Sequence, residues 1–406
     1  MNLLLIAWRN LWRNKRRTLI TAASVFFAIW FALIMRAFQL GSYEVMVNNI
    51  VHAFSGYFQL HAKGYWDDKT LNNAFSLDTA TQIKLRQIQG VEDCASRLES
   101  FALASYGART KGVMVIGVDP ESEEGLTSLR QKLREGAYLT PNANGALISR
   151  RLASYLKTAV GDTLVIIGQG YQGTSAAGIF PVKGIISFPS PDLDGRLIYL
   201  SLPAARELFG APGMLTTIAF NVSGDRDYKK VSAEVDNLFS DDQYEVMTWE
   251  EMMPEVVQQI RADSASGLIM LGILYMIVGF GIFGTILMML NERRREFGMM
   301  IAVGMQKRRL LAILITEIML LGLIGLITGV AAAVPVIRYY HLYPVRLTGS
   351  MAESIISMGF EPVMPTAWNS SFFIAQSLVV MGIVLLVMFL PVVRIRKLKV
   401  INALKR

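Results

Sequence analysis

The chain has 406 residues, of which 52% are hydrophobic and only 18% are charged, and this composition excludes an ordinary water-soluble protein. The net charge at pH 7 is +8, but its basic residues are concentrated in three short segments next to apolar runs. This distribution is typical of membrane topology and not of a nucleic-acid-binding surface, so we expect no nucleic-acid partner.

Four apolar runs are long enough to cross the hydrocarbon core of a bilayer, which takes about 20 residues. They cover residues 18–35, 265–290, 310–336 and 372–390. A long stretch of ordinary soluble composition separates the first run from the second. We therefore predict an α-helical membrane protein with four transmembrane helices and a large α+β periplasmic domain inserted between helices 1 and 2.

The basic residues predict the orientation of these helices. Segments 1–17, 291–309 and 394–406 together hold 17 Lys and Arg residues against two acidic residues, whereas segment 42–265 holds 20 basic and 27 acidic residues. Because positive charge accumulates on the cytoplasmic side, both termini are expected in the cytoplasm and the insert in the periplasm of a bacterial inner membrane.

These two signals divide the chain into nine predicted segments. In chain order they are a cytoplasmic amphipathic helix (1–17), transmembrane helix 1 (18–41), the periplasmic domain (42–264), transmembrane helix 2 (265–290), a cytoplasmic coupling loop (291–309), transmembrane helix 3 (310–336), a periplasmic loop (337–371), transmembrane helix 4 (372–393) and a cytoplasmic tail (394–406).

Segment 1–17 places Leu and Trp residues near one helical face and Arg residues on another, which is typical of a helix at a membrane surface. A basic flank that only sets topology is the alternative. In the external segment, period-two and helical patterns predict an α+β mixture. The predicted strands are 57–62, 101–106, 112–118, 163–167, 180–188, 196–200 and 216–222, and the predicted helices are 78–88, 149–157, 203–209, 227–239 and 249–265.

Small residues recur inside two of the apolar runs. The first group matches G-x-G-x-x-G in form, but it follows no strand and is no dinucleotide site. Glycines let membrane helices approach closely, so we predict helix packing, within the chain or with a second subunit. The six residues are Gly279, Gly281, Gly284, Gly322, Gly325 and Gly329.

Glu317 is the only charged residue inside an apolar run. A functional intramembrane acid is one reading. A hydrogen bond near the cytoplasmic interface to Arg308, Arg309 or a neighbouring helix is the reading we favour, because no second intramembrane acid exists to form a relay.

No sequence pattern supplies a source of energy. The chain lacks a phosphate-binding loop, a Ser/His/Asp set and zinc-ligand spacing, and it has a single cysteine, Cys94. We therefore predict no catalytic, cofactor or metal site in this chain, and a partner that drives it. Segment 291–309 is the expected contact. Its stretch 291–304 has the pattern of a short amphipathic helix across the end of a bundle, and an exposed apolar patch between basic flanks would favour an acidic groove. The patch consists of Met299, Met300, Ile301 and Val303.

The stretch EFGMMIAVGMQKRRLLAILITEIMLLGLIG (296–325) resembles FtsX-like permeases of MacB-type ATP-binding-cassette (ABC) exporters. IAWRNLWRNKRRTLIT (6–21) and PVVRIRKLKVINALKR (391–406) resemble the start and the tail of that family. The resemblance implies a permease that pairs with a second copy or a sister permease and binds two separate ATPase subunits, which hold ATP and Mg²⁺. It implies coupling to the ATPase through Arg295, Glu296, Phe297, Gly298, Met299, Met300, Ile301, Ala302, Val303 and Gly304.

Within the external segment, VIGVDPE (115–121), REGAYL (134–139) and VGDTLVII (160–167) are similar to the lipoprotein-releasing LolC/LolE permeases. That resemblance implies lipoprotein cargo and a periplasmic chaperone or adaptor, with 168–180 at the position of the chaperone-recruiting hairpin. The alternatives are MacB-like efflux of peptides or antibiotics, FtsX-like signalling to a cell-wall hydrolase, and a membrane scaffold without an ATPase. The implied cargo residues are Phe31, Met35, Phe38, Leu40, Ile269, Ile273 and Met276.

Overall fold

The computed structural model describes residues 3–13, 15–142, 144–223, 227–239, 243–357 and 361–396. The chain forms two compact units. The helical unit comprises Met1–Glu44, Ile260–Val345 and Val363–Arg406, and the sheet unit comprises Val45–Gln259 and Arg346–Pro362.

The α-helices are α1 (Leu3–Arg13), α2 (Lys15–Ile50), α3 (Thr79–Arg86), α4 (Pro120–Thr127), α5 (Arg150–Leu156), α6 (Leu202–Phe209), α7 (Tyr228–Leu238), α8 (Trp249–Met252), α9 (Pro254–Glu292), α10 (Arg294–Ala302), α11 (Lys307–Leu342), α12 (Gly349–Ser357) and α13 (Ser370–Arg396).

The strands are β1 (Phe58–Ala62), β2 (Phe75–Ser76), β3 (Val91–Tyr106), β4 (Arg109–Val118), β5 (Leu133–Gly136), β6 (Ala146–Ser149), β7 (Thr163–Gln169), β8 (Ser175–Ile186), β9 (Leu197–Ser201), β10 (Met214–Leu215), β11 (Thr217–Val222), β12 (Tyr244–Thr248), β13 (Val345–Arg346) and β14 (Val363–Met364).

Four helices of the described chain are long and apolar enough to cross a membrane. The candidate spans are Thr18–Ser55, Pro254–Glu292, Lys307–Leu342 and Ser370–Val393. Their inward faces share one apolar core, to which each helix contributes; examples are Ile29 of α2, Ile286 of α9, Leu314 of α11 and Val384 of α13. The outward faces remain apolar, as expected for helices surrounded by lipid.

Glycines on α11 let neighbouring helices approach closely. A Cβ atom at Gly329 would lie 2.2 Å from Ile29 Cγ2, and one at Gly325 would lie 2.6 Å from Val25 Cβ, both on α2. At Gly322 the nearest atom is Val384 Cγ1 of α13, at 2.9 Å. These separations leave no room for a side chain, so α11 packs on its neighbours through its glycine face.

The glycines of α9 differ from those of α11. Cβ positions at Gly281 and Gly284 have no heavy atom of the described chain within 4 Å, and the one at Gly279 has only Ile383 Cγ2, at 3.5 Å. This part of α9 therefore presents a shallow, unfilled surface. Its small residues are free to contact something outside the chain.

We expect Gly329→Ala to destabilise the helical unit by about 1–3 kcal/mol, because the new methyl group overlaps Ile29. Gly281→Ala is the matched control on α9 and should leave the unfolding temperature unchanged or slightly raised, since alanine favours helix and the site is open. Thermal unfolding of both variants in mild detergent measures the difference. Equal unfolding temperatures would contradict the close α2–α11 approach.

A mixed sheet dominates the sheet unit. Its strand order is β12-β1-β11-β3-β4-β9-β6-β8-β5, and β7 pairs with both β3 and β8. Most pairs are antiparallel, but β4–β9 and β6–β8 are parallel. Helices α3 to α7 alternate with the strands, and apolar residues such as Leu98, Val115 and Ile148 form the largest core of the unit. The α+β prediction is consistent with this architecture.

Several predicted elements are wrong in their bounds; the predicted strand 101–106, for example, is only the end of β3. The sequence predicts one helix over 249–265, but the helix is interrupted at Met253 (φ −130°, ψ 61°). The helical conformation is disfavoured for the residue that precedes a proline, here Pro254. The glycine- and serine-rich segment between the predicted strands 163–167 and 180–188 is mostly strand, with Gln169 opposite Ser175. Backbone hydrogen bonds of the β7–β8 ladder do not require large side chains, so the composition was misleading.

Candidate functional site

The segment between α9 and α11 forms the helix that the pattern of 291–304 predicts. Helix α9 ends at Glu292, and Arg293 (φ −91°, ψ 7°) turns the chain into α10, Arg294–Ala302. Arg293 also accepts a backbone hydrogen bond from the Phe297 N–H group, at 2.9 Å. The turn between the two helices is therefore one residue long, which ties the position of α10 closely to the end of α9.

A Schellman motif ends α10. The Met305 N–H group donates to the Met300 carbonyl at 2.9 Å, and the Gly304 N–H group donates to the Ile301 carbonyl at 3.0 Å. Gly304 has φ +100°, a conformation that strains other residues. The motif stops α10 after nine residues and leads directly into α11, which begins at Lys307.

A network of four charged residues links α1, α10 and α11. The Arg13 guanidinium donates to both carboxylate oxygens of Glu296, at 2.7 and 2.8 Å. Glu296 also accepts from Arg293 Nε at 3.2 Å. Arg293 Nη1 donates to Glu317 Oε2 at 2.9 Å and Oε1 at 3.2 Å. The four charges sum to zero and alternate in sign from α1 to α11.

The Arg293–Glu317 half of this network is buried, and the Arg13–Glu296 half is exposed. The side chains of Arg293 and Glu317 are 7% and 2% exposed, whereas those of Arg13 and Glu296 are 55% and 43% exposed. The Phe297 ring lies 5.2 Å from the Arg293 guanidinium and covers it on one side. Burial makes the Arg293–Glu317 pair sensitive to the loss of either partner, because an unpaired buried charge is costly.

The predicted ion partner of Glu317 is corrected by this geometry. Arg308 and Arg309 are exposed, and Glu317 pairs with Arg293 instead. On the same helix, Arg308 and Arg309 lie more than two turns away, at roughly 12–14 Å along the axis. Arg293 comes from the preceding turn and reaches back to α11, so it arrives beside Glu317. The predicted polar contact of Glu317 to a neighbouring segment is present, but its partner is Arg293 and not Arg308 or Arg309.

Partial burial raises the pKa of the Glu296 carboxyl, but the hydrogen bonds from Arg13 and Arg293 outweigh it and hold that pKa below its ordinary value. The network therefore stabilises the fold above the ordinary glutamate pKa, and this stabilisation is lost as the pH falls through the depressed value. Because Glu296 is 43% exposed, the contribution is small, at most about 1 kcal/mol.

We expect a pH-dependent difference between the wild-type protein and Glu296→Gln. The wild-type protein should unfold at a higher temperature near pH 6, and the gap should close as the pH falls through the depressed pKa of Glu296, where the wild-type carboxyl becomes protonated. Thermal unfolding of both proteins across that range measures the gap. A constant gap at all pH values would contradict an ionic role for Glu296.

A cavity of about 410 Å³ lies beside this network, within the helical unit. Its walls come from α1, α10, α11 and the turns between them; they include Ile6, Asn10, Phe297, Met300, Met305 and Leu314, with the four charged residues at its polar end. On α1, Ala7 and Leu11 are buried, whereas Trp8 and Trp12 are exposed. The cavity indicates that α1 and α10 are not packed tightly against each other.

The predicted coupling residues 295–304 separate into an inner and an outer face of α10. Phe297 and Gly298 are buried, and Glu296 is held in the network. Met300 and Ile301 are half-buried against the helical core, so the four-residue exposed patch predicted from the sequence is wrong for these two. The outer face consists of Arg295, Met299, Ala302, Val303 and Gly304, of which Val303 is 89% exposed.

The predicted cargo residues lie on two helices of the helical unit and differ in exposure. Ile269, Ile273 and Met276 share the outward face of α9, with exposures of 66%, 50% and 61%. On α2, Phe31 is exposed, but Phe38 is half-buried with its ring 5.5 Å from Tyr340. Met35 and Leu40 are also half-buried, and Leu40 packs against the core. The α2 residues therefore offer less free surface than the α9 residues.

Sequence reasoning missed Arg13 and Arg293 as members of the site. Both were counted only as topology-setting charges. The i, i+3 spacing of Arg293 and Glu296 and the lone acid Glu317 were the available signals. Among the described residues, no group of three or more His, Cys, Asp or Glu side chains is placed to hold a metal ion.

These features define a membrane protein with four candidate spans, an α+β unit and a short helix between the second and third candidate spans. Residues 18–238 match the MacB-like periplasmic core domain, and residues 268–400 match the FtsX-like permease C-terminal domain. The chain belongs to the FtsX-like, MacB-type family of ABC transporter permeases.

Three relatives illustrate the range of this family. An uncharacterised ABC transporter permease of Mycobacterium tuberculosis is 23% identical over 86% of this chain and 42% of its own length. The lipoprotein-releasing system transmembrane protein LolC of Xylella fastidiosa is 21% identical over 60% of each chain. The pyoverdine export ATP-binding/permease protein PvdT of Pseudomonas putida is 24% identical over 81% of this chain and 51% of its own length. The chain thus spans about two fifths to three fifths of these relatives.

Proposed function

We propose that this chain is the permease subunit of an ATP-driven transporter that extracts lipoproteins from the inner membrane, and that a separate ATPase drives it by pushing on α10. The observation that carries the proposal is the outer face of α10. It combines exposed Met299 and Val303 with basic Arg295. The Arg293–Glu317 ion pair joins the start of this helix to α11. ATP and Mg²⁺ belong to the ATPase, of which two copies would serve a pair of permeases.

The ion network gives α10 the rigidity that a mechanical contact needs. A displacement of α10 reaches α11 through Arg293 and Glu317, and it reaches α1 through Glu296 and Arg13. Because α10 is bounded by a one-residue turn and a Schellman motif, it moves with the ends of α9 and α11. Work done at α10 is thus transmitted to the spans.

The proposed topology places both termini and α10 in the cytoplasm and the sheet unit in the periplasm, inserted between the first and second spans. The concentration of basic residues in 1–17, 291–309 and 394–406 supports it. In this orientation the exposed apolar residues of α10 face the compartment that contains ATP.

A second permease, either another copy or a sister chain, would complete the membrane part. The outward face of α9 supports this proposal, since Ile269, Ile273 and Met276 are exposed and Gly281 and Gly284 have open space around them. Acyl chains of a lipoprotein would enter laterally between the two permeases along this face and the exposed Phe31 of α2.

The sheet unit offers a surface for a periplasmic chaperone or adaptor. Leu103 of β3 lies opposite Ile167 of β7, and Val165 of β7 lies opposite Ile179 of β8. All four side chains are between 38% and 64% exposed, so they form one apolar strip across three strands. The strip lies on the face of the β7–β8 hairpin, and the short 170–174 tip contributes none of these side chains.

The second candidate function is MacB-like efflux of a small molecule or peptide with an adaptor protein. The relatives favour it as much as lipoprotein release. The similarity to the pyoverdine exporter extends over 81% of this chain, against 60% for LolC. Export and release share the ATPase, the coupling helix and the second permease, and differ only in cargo and periplasmic partner.

Affinity purification of the full chain from membranes in mild detergent distinguishes these functions. An ATPase together with acylated protein supports lipoprotein release. An ATPase together with a periplasmic adaptor, without acylated protein, favours efflux. Purification without any ATPase, under conditions where the chain remains folded, would contradict both and leave a scaffold or a signalling role.

A further inference from the structure

Helix α1 presents an apolar face that the described residues leave uncovered. On a helix with 3.6 residues per turn, this face spans a sector of about 100°. Its side chains are between 44% and 60% exposed: Leu4, Leu5, Trp8 and Trp12. The Trp8 and Trp12 rings meet edge to face, with their centroids 5.9 Å apart. Indole rings combine an apolar body with a polar N–H group and are enriched where a bilayer meets water.

The other side of α1 is fixed to the helical unit. Ala7 and Leu11 are buried, and the Thr18 hydroxyl of α2 donates to the Leu11 carbonyl at 2.7 Å. The Arg13 guanidinium is held by the Glu296 carboxylate of α10. These contacts set the rotation of α1 about its axis, so the apolar face is held away from the protein interior.

Basic side chains border the apolar face. Arg9 lies next to it on α1, and Lys15 and Arg16 begin α2. All three are exposed and make no ion pair with an acid of the described chain, and residues 1–43 contain no acidic side chain. The Lys15 ammonium lies 6.0 Å from the centroid of the Trp12 ring, which places one of these charges beside the apolar face.

We propose that α1 binds the surface of a bilayer that contains anionic phospholipids, and that it thereby anchors α10. The Leu and Trp side chains lie at headgroup depth, while Arg9, Lys15 and Arg16 contact the lipid phosphates. An apolar helix face and a basic border add their contributions on such a surface. Arg13 connects the bound helix to Glu296 of α10. The proposal requires neither an ATPase nor a cargo, so it stands apart from the proposed function.

Hydrogen–deuterium exchange of the full chain in lipid nanodiscs tests the lipid contact without any substitution. Nanodiscs of phosphatidylcholine alone are compared with nanodiscs that also contain phosphatidylglycerol. Amide exchange in residues 3–13 should slow at least about tenfold with the anionic lipid. About 1 M salt should remove most of this slowing, because it screens charges separated by more than about 3 Å. Equal exchange in both lipids, or slowing that survives the salt, would overturn the proposal.

Neutralising the basic border in one protein should remove the lipid effect: Arg9→Gln, Lys15→Gln and Arg16→Gln. The matched control neutralises three exposed arginines of the sheet unit and should keep the effect: Arg134→Gln, Arg150→Gln and Arg151→Gln. Slowing of wild-type size in the first protein, or its loss in both, would overturn the assignment of the lipid contacts. Thermal unfolding verifies that each protein is folded, and the lipid and salt comparison on the wild-type protein remains decisive if the first one is not.

The anchoring of α10 is tested in the same nanodiscs. In the wild-type protein, phosphatidylglycerol should also slow amide exchange in residues 294–302, since the Arg13–Glu296 ion pair ties α10 to α1. Glu296→Gln weakens this tie and leaves the lipid contacts of α1 in place. Exchange should then remain slowed in α1 but not in α10. Equal slowing of α10 in both proteins would overturn its anchoring through this ion pair.

Discussion

Glu317→Leu should destabilise the helical unit by about 3–5 kcal/mol, because it leaves the buried Arg293 guanidinium with only its contact to the half-exposed Glu296. Arg293→Met should lower the free energy of unfolding by a similar amount, because it leaves the buried Glu317 carboxylate on α11 without its ion-pair partner. The double variant should recover most of the loss, because replacing both members of a buried ion pair by apolar side chains is often neutral or stabilising. Thermal or denaturant unfolding of the four proteins in mild detergent gives the coupling energy.

The double variant also separates stability from transmission. If the pair transmits force from α10 to α11, the doubly substituted protein should remain folded and keep its ATPase, but transport should fall although ATP is still hydrolysed. Glu250→Gln is the control, because it removes an ion pair with Lys229 that lies in the sheet unit and outside this network. Independent, additive losses in the two single variants would contradict direct pairing. Full transport by a stable double variant would leave the pair with a structural role alone.

Much of this site was accessible to sequence reasoning because its signals are local. Four long apolar runs coincide with the candidate spans, and the amphipathic pattern of 291–304 predicts a helix where α10 lies. The break before α9 is also a local signal, because Pro254 disfavours a helical conformation at Met253. Hydrophobic periodicity therefore predicts helices well, except where a single residue such as Met253 interrupts them.

The rest depends on contacts between distant residues, which no local pattern contains. Glu317 meets Arg293 across 24 positions, and Arg97 meets Glu123 across 26. The first half of β3 was missed because its charged residues resemble a solvated segment, yet Arg97 and Glu99 are buried there. A buried charge is recognised only when its partner is known, and partners are assigned by the fold.

Val303→Glu should abolish stable association with the ATPase and leave the fold intact. Val303 is 89% exposed, so its replacement should change the free energy of unfolding by no more than about 0.5 kcal/mol. The new carboxylate would lie on the outer face of α10 beside Met299, where it would be buried against the partner and opposed by an acidic groove. We expect at least about a tenfold loss of ATPase affinity, equivalent to ~1.4 kcal/mol, in a pull-down or nanodisc binding assay.

Two controls make this result specific. Val303→Thr keeps the shape of the side chain without a charge, and it should retain most of the binding. Ile83→Glu introduces the same charge at an exposed residue of α3, in the sheet unit, and should bind the ATPase normally. ATPase retention by Val303→Glu would exclude the outer face of α10 as the docking surface. Loss of binding in all three variants would instead indicate a general effect of substitution on the protein.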